Sequence, residues 1–192
     1  MNNFLNDSTK IDEYLSEFTD VIVDNFPKDC DLQSINFLLY EVLINIYKHS
    51  KFRNAYVQIN LPDNGQTLEL CIIDDGIGIP GSFKDASIEF EDNCSAIFEA
   101  VNGKTTDKEK YKLHGRGLNS SARITTLGFE GEMLIASGKG ICLIDSEGVE
   151  TCENRYEITG TFIILKMPNR KIDDIYNYLK YEKINRIQGV EE

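Results

Sequence analysis

Three short segments of the chain carry residues whose types and spacing can do chemistry. The first is Glu41-Val42-Leu43-Ile44-Asn45-Ile46-Tyr47-Lys48-His49. On a helix, positions 41, 45, 48 and 49 share one face, so a carboxylate, a carboxamide, an ammonium and an imidazole project together from an otherwise apolar stretch. Taken singly, each is as readily part of a solvated polar face. Asn45 stands apart, because an amide sits poorly in a helix interior and its carbonyl oxygen suits a hard cation. The second segment, Asp74-Asp75-Gly76-Ile77-Gly78-Ile79, follows the apolar run 70–73. A carboxylate at a strand end can accept a hydrogen bond from an amino group, and glycines let backbone approach a flat ring. The third, His114-Gly115-Arg116-Gly117-Leu118, stands at a helix start. There exposed backbone amides and the helix dipole favour an anion. Either glycine segment alone is a weak signal that surface turns imitate.

Periodicity supplies the elements that must position these groups. Over 8–26, Ile11, Tyr14, Leu15, Phe18, Val21, Ile22 and Phe26 recur at three- and four-residue steps, which predicts an amphipathic helix capped by Ser8 and stopped by Pro27. A second helix is expected over 31–49, from Leu32, Ile35, Leu38, Leu39, Val42, Leu43 and Ile46. Residues 55–61 and 67–73 alternate as strands, with the hairpin turn Pro62-Asp63-Asn64-Gly65 between them. Residues 81–113 are polar and weakly periodic, which reads as a long functional loop with a short helix over 95–101. A helix over 118–127 and strands over 132–137, 141–145 and 160–167 follow, and Pro168 precedes a C-terminal helix over 172–187. The expected fold class is an α/β two-layer sandwich, a mixed sheet with helices on one face.

Bulk properties narrow the function classes. The 192 residues suit one sizeable core, and 41% hydrophobic with 27% charged residues is ordinary globular composition. No apolar run approaches the ~20 residues of a membrane span, and acidic residues interrupt the N-terminus where a signal peptide would be apolar. The five cysteines are scattered without a C-x-x-C pair, so neither a zinc site nor a disulfide framework is indicated and a reducing, cytoplasmic setting is expected. A net charge of −12 argues against a nucleic-acid surface and requires that any bound polyphosphate be neutralised locally.

In order, spacing and context the three segments together resemble the histidine-kinase-like (GHKL, Bergerat-fold) ATPase superfamily. Its members include histidine kinases, type II topoisomerase ATPase subunits, the large heat-shock chaperone, mismatch-repair ATPases and anti-sigma serine kinases. Gly160-Thr161-Phe162 looks like the closing strand of the same domain. The resemblance implies one domain over 1–192, with a core of about 31–168 and flanking helices over 8–26 and 171–188. It implies ATP and Mg²⁺ as ligands, with Asn45 on the metal and Asp74 accepting from the adenine amino group beside Thr161. Gly76, Gly78 and Ile79 would pass close to the base, and Gly115, Gly117 and Leu118 would line the phosphates. Lys48 and His49 occupy phosphate-facing positions, Glu41 the position of a water-activating base, and 81–113 the lid, with Lys104 and Arg116 as phosphate contacts.

Departures from the family pattern sort its members. Residues before Asp31 hold no histidine and no room for a phospho-accepting hairpin, and no transducer-sized segment follows Pro168. The expectation is a stand-alone member that phosphorylates or sequesters a protein partner in the manner of anti-sigma kinases. An ATP-hydrolysing switch and a non-catalytic nucleotide sensor are the alternatives. The apolar stripes of the two terminal helices fit packing onto the sheet or a homodimer face, and single stripes on short domains are usually core.

Overall fold

The computed structural model describes residues 2–4, 10–25, 30–62, 65–106 and 117–187. In chain order its elements are β1 (Asn2–Phe4), α1 (Ile11–Asn25), α2 (Leu32–Asn45), β2 (Ala55–Asn60), β3 (Thr67–Asp74), α3 (Gly78–Asp85), α4 (Asn93–Val101), α5 (Leu118–Arg123), β4 (Glu132–Ile144) and β5 (Val149–Pro168). Both α2 and α5 run on into a wide π turn, Ile46–Ser50 and Ile124–Gly128 respectively. Five strands form one sheet in the order β1-β2-β3-β5-β4. Alternation places Leu68, Leu70, Ile72 and Asp74 of β3 on the buried face, and Ile163, Leu165 and Met167 of β5 beside them. Against that face pack Leu38, Leu39, Val42 and Leu43 of α2, Phe18 and Ile22 of α1, and Ile97 and Val101 of α4. The expected two-layer α/β sandwich is present. Its four strand pairings are all antiparallel where a mixed sheet was expected, and the parallel contact is an isolated bridge between Val149 and Arg186.

Three expectations are corrected. The strands expected over 132–137, 141–145 and 160–167 are parts of one long hairpin, β4–β5. Gly138 and Gly140 are absorbed as register shifts in β4 instead of ending it, and the polar alternation of 149–159 carries β5 back to the turn. In the stretch 81–113 the short helix expected over 95–101 is present as α4, but 81–85 belong to a second helix, α3, that was expected as loop, and 107–113 lie outside the described residues. Gly78 and Pro80, which read as part of a turn, lie in the first turn of α3, where proline is tolerated because that N–H needs no helical partner. Asp92 caps α4 by accepting from Ser95 N and Oγ at 2.7 and 2.9 Å. Third, the helix expected over 172–187 is a strap with a single 3₁₀ turn, Ile175–Tyr178. Its Ile172, Ile175, Leu179 and Ile184 do reach the core, but as anchors of an irregular chain whose backbone is bonded by side chains of other elements. The expected cap Ser8, and Phe26 and Pro27, lie outside the described residues. Among the described residues no helix is long and apolar enough to cross a membrane.

Asp31 joins α2 to the strap. Its carboxylate caps α2 by accepting from Ser34 N at 3.1 Å and Ser34 Oγ at 3.0 Å, and also accepts from Ile172 N at 3.0 Å. Asp31→Ala removes cap and anchor together and should lower the unfolding free energy by about 1–2 kcal/mol. The check is a urea titration, expected to show a lower midpoint with an unchanged slope. An unmoved midpoint would show that these bonds contribute nothing net.

Candidate functional site

One end of the sheet opens into a cleft of about 870 Å³, including the part open to solvent. Its floor follows from strand register. Asp74 of β3 lies opposite Thr161 of β5, and Thr161 opposite Ser137 of β4, so their side chains share one face as a polar row. The next inward row, Ile72 opposite Ile163, is apolar. Val42, Asn45, Ile46, His49 and Ser50 close one side from α2 and its π turn. Gly78, Ile79, Ser82 and Phe83 of α3 stand opposite, and residues 103–106 with Gly117 and Leu118 form the remaining wall.

The two adjacent aspartates have separate tasks. Asp74 is 2% exposed, and burial pushes its carboxyl above the usual value. Opposing that rise, Gly76 N–H donates to it at 2.8 Å, and the hydroxyls of Ser50 and Thr161 favour its charge, as the Asp75 carboxylate does not. The Ser50 hydroxyl leans toward Asp74 without a well-aligned hydrogen bond, so it retains capacity for another partner. Asp75 is exposed. Slight desolvation raises its carboxyl, but the N–H of Asn54 at 2.8 Å, the Asn54 side-chain amide at 2.9 Å and the N–H of Arg53 at 2.7 Å together hold it below the usual range. Asp75 thus fastens the chain between α2 and β2, while Asp74 faces the cleft.

Close packing explains the glycines of this turn. A Cβ at Gly76 would meet the Ser50 carbonyl oxygen at 2.1 Å, and that same oxygen accepts from Ile77 N–H at 2.7 Å. Gly78 adopts φ +69°, and a Cβ there would lie 2.5 Å from Ser137 Oγ. The Ser137 hydroxyl in turn donates to Gly160 O at 2.7 Å and accepts from Ile79 N–H at 3.0 Å. The turn is therefore clamped between the end of α2 and the β4–β5 pair.

Of the residues expected at the site, Asn45, His49, Asp74, Gly78, Ile79, Lys104, Gly117, Leu118 and Thr161 line the cleft. A Cβ on Gly117 would sit 3.6 Å from both Asn45 Oδ1 and Nδ2, so the turn before α5 comes directly against the Asn45 amide. Asn45 Nδ2 is buried without a partner, as is Glu41 Oε2 one helical turn earlier. Glu41 is 8% exposed and lies behind the cleft rather than in its lining. Gly76 packs on Ser50 and does not line the cleft either. Lys48 is exposed and points away from it. Lys104 reaches the cleft, but its ammonium is ion-paired with Glu99, donates to Glu89 O at 3.1 Å and lies 5.8 Å from the Phe83 ring centre. His114, Gly115 and Arg116 fall outside the described residues.

Sequence reasoning missed Ser50, Thr106 and Ser82. His49 Nδ1 and Thr106 Oγ1 are hydrogen-bonded at 2.8 Å, and Ser82 Oγ lies 3.4 Å from the same hydroxyl. The hidden signal is helical pitch. A 3.6-residue turn predicts Lys48 and His49 on the Asn45 face, whereas the i→i+5 spacing of the π turn brings Ser50 there and leaves Lys48 outside.

No curated protein was found to match the chain. The family model described as histidine kinase-, DNA gyrase B- and HSP90-like ATPase matches residues 30–171. That span begins at the cap of α2, ends past β5 and takes in every residue lining the cleft. Since the match covers most of the chain, the protein belongs to the histidine kinase-, DNA gyrase B- and HSP90-like ATPases and contains their ATP-binding domain.

Proposed function

We propose that the cleft binds Mg-ATP with the base at Asp74 and the phosphates toward Asn45 and Gly117, and that the protein is a regulator that phosphorylates or sequesters a protein partner. The observation that carries this reading is the pairing of a buried carboxylate at one end of the cleft with the Asn45 carboxamide, whose buried Nδ2 lacks a partner, at the other. An amino group on a flat ring is the donor that Asp74 lacks, with Thr161 and Ser50 hydroxyls beside it to complete the contact. Ile72, Ile163 and Ile79 supply apolar surface for the ring itself.

At the other end, Asn45 fits a hard cation through its amide oxygen, with Gly117 leaving open the space that a side chain would take. Among the described residues no three or more His, Cys, Asp or Glu are gathered to hold a metal, so such a cation depends on the nucleotide's own phosphate oxygens. Bound there, Mg²⁺ would neutralise charge shared between the phosphates. His49 and Leu118 border this end. Lys104 can contribute a phosphate contact once its ammonium leaves Glu99. Gly115 and Arg116, outside the described residues, would add phosphate contacts by the resemblance to the family. Phosphoryl transfer asks of these residues only positioning and charge stabilisation. The regulatory role rests on likeness to the anti-sigma serine kinases.

A second reading, ATP hydrolysis as a conformational switch, is favoured by Glu41. Its Oε2 is a buried acceptor without a partner, one turn from Asn45, and such a group can hold a proton from water.

Calorimetric titration with ATP and Mg²⁺ tests the site. Asn45→Ala should weaken binding on the order of 100-fold or abolish it, and Asp74→Asn should weaken it at least about tenfold with the fold intact. Parent-like affinity in both variants would remove the assignment. Phosphate release by the parent without a partner, lost in Glu41→Gln while binding is kept, favours the switch; label transfer to a Ser or Thr of a partner favours the kinase.

Asp74 also predicts a pH effect. Its carboxyl lies above the usual 3.8, so its ionised form weighs on the nucleotide-free fold as pH rises through the raised value. Nucleotide-free Asp74→Asn should therefore melt at or above the parent's Tm at pH 7, with the margin closing as pH falls toward 3.8. A variant clearly less stable than the parent at pH 7 would show that burial does not control this carboxylate.

A further inference from the structure

The strap after β5 crosses the helical layer with its backbone held by side chains. Asn102 Oδ1 accepts from Ile184 N–H at 2.8 Å, and Asn102 Nδ2 donates to Ile184 O at 3.1 Å. Asn119 Nδ2 donates to Glu182 O at 3.1 Å. Arg123, 6% exposed, donates to Tyr178 O at 3.1 Å and to Lys180 O, and is ion-paired with Glu182. The far end is tied to β5, where Val149 N–H donates to Asn185 O and Ile187 N–H to Val149 O, each at 2.9 Å. Buried backbone groups must find partners, and an irregular segment has none of its own.

The places these side chains come from are informative. Asn102 immediately precedes 103–106, and Asn119 immediately follows Gly117-Leu118, the two stretches that form the wall of the cleft opposite the sheet. Neither asparagine lines the cleft itself. Asn119 is completely buried, and its amide nitrogen also donates to Val101 O at 3.0 Å, so it joins the two stretches to each other as well as to the strap. Strap residues 182–184 thus engage both stretches at once. Movement of Gly117-Leu118 breaks bonds to the fully buried carboxamide of Asn119, and movement of 103–106 breaks the paired bonds of the half-buried Asn102, which makes the spacing between them stiff.

We propose that Asn102 and Asn119 are positioning residues of the nucleotide pocket, through which the C-terminal strap sets the separation of 103–106 from Gly117-Leu118. The inference rests on the site reading above, with the base at Asp74 and the phosphates toward Gly117. The base end is built from β3, β5 and the end of α2 and does not depend on these contacts, so the strap governs the phosphate end alone. Its contribution is specific to ligands that carry phosphates.

The test is titration of the full chain and its variants with Mg-ATP and, separately, with adenosine. Asn102→Ala and Asn119→Ala should each weaken Mg-ATP binding on the order of tenfold, while adenosine affinity changes less than about twofold. Asn102 is half-buried, so its variant keeps the test available if loss of the fully buried Asn119 prevents folding. Hydrogen exchange should be faster at 103–106 and at Gly117 in the Asn102→Ala variant, with the Asp74 turn unchanged. Equal weakening of both ligands, or no weakening of either, would overturn the positioning role. A parent that binds neither ligand would overturn the site reading itself, and with it the inference.

Discussion

A carboxylate removed from water at the end of a strand is the constraint around which this molecule is arranged. Burial opposes the charge of Asp74, and isolated it would be untenable. The neighbouring elements are placed to make it tolerable. The turn after β3 folds back so that Gly76 N–H donates to it, which is possible only because glycine lets the turn lie on the carbonyl of Ser50. Thr161 reaches it across the β3–β5 register, and Ser50 reaches it because α2 widens into a π turn before it ends. Each contact leaves capacity for an external donor. Stability is exchanged for binding at this one group, as is common at functional sites.

The same economy runs through the rest of the cleft. Polar atoms of Asn45, Glu41 and Ser50 are buried without partners, a state native interiors mostly avoid. These three lie on α2 and its π turn, and Asn45 and Ser50 open onto the cleft where a ligand can reach them; similar atoms on Asn119, Ser121, Thr125 and Asn169 do not line it. Around them the satisfied groups do the holding: Asp75 fastens the approach to β2, and Ser137 fixes the turn to the β4–β5 pair.

Much of this was legible in the sequence because the relevant signals are local. Strand alternation in 67–73 and the apolar positions of 31–49 give β3 and α2 directly, and the Asp-x-Gly-x-Gly turn after the strand follows from residue type. What the sequence hid has physical causes. Glycines and a proline resemble a turn whether or not they open a helix, so α3 went unseen. The apolar residues of the strap have helical spacing, yet half-buried Asn102 and buried Asn119 and Arg123 compete for its backbone and win. Periodicity assumes 3.6 residues per turn, and a single π turn was enough to exchange Lys48 for Ser50 on the working face. The pairing of β3 with β5 is non-local and leaves no short-range trace; only the resemblance to a family pointed to Thr161.

Strand order also has a consequence in time. The β2–β3 and β4–β5 hairpins can each close over a short connection, whereas β3 finds β5 only after the chain between them has been gathered in. Loop-closure entropy therefore puts the central seam late in folding. Asp74 and Thr161 face each other across that seam. Half-formed molecules hold either residue alone and offer no site, so a ligand of this cleft has nothing to grip until the sheet is whole. Its binding then acts by mass action on the finished fold alone, drawing the late, slow step toward completion without guiding the early ones.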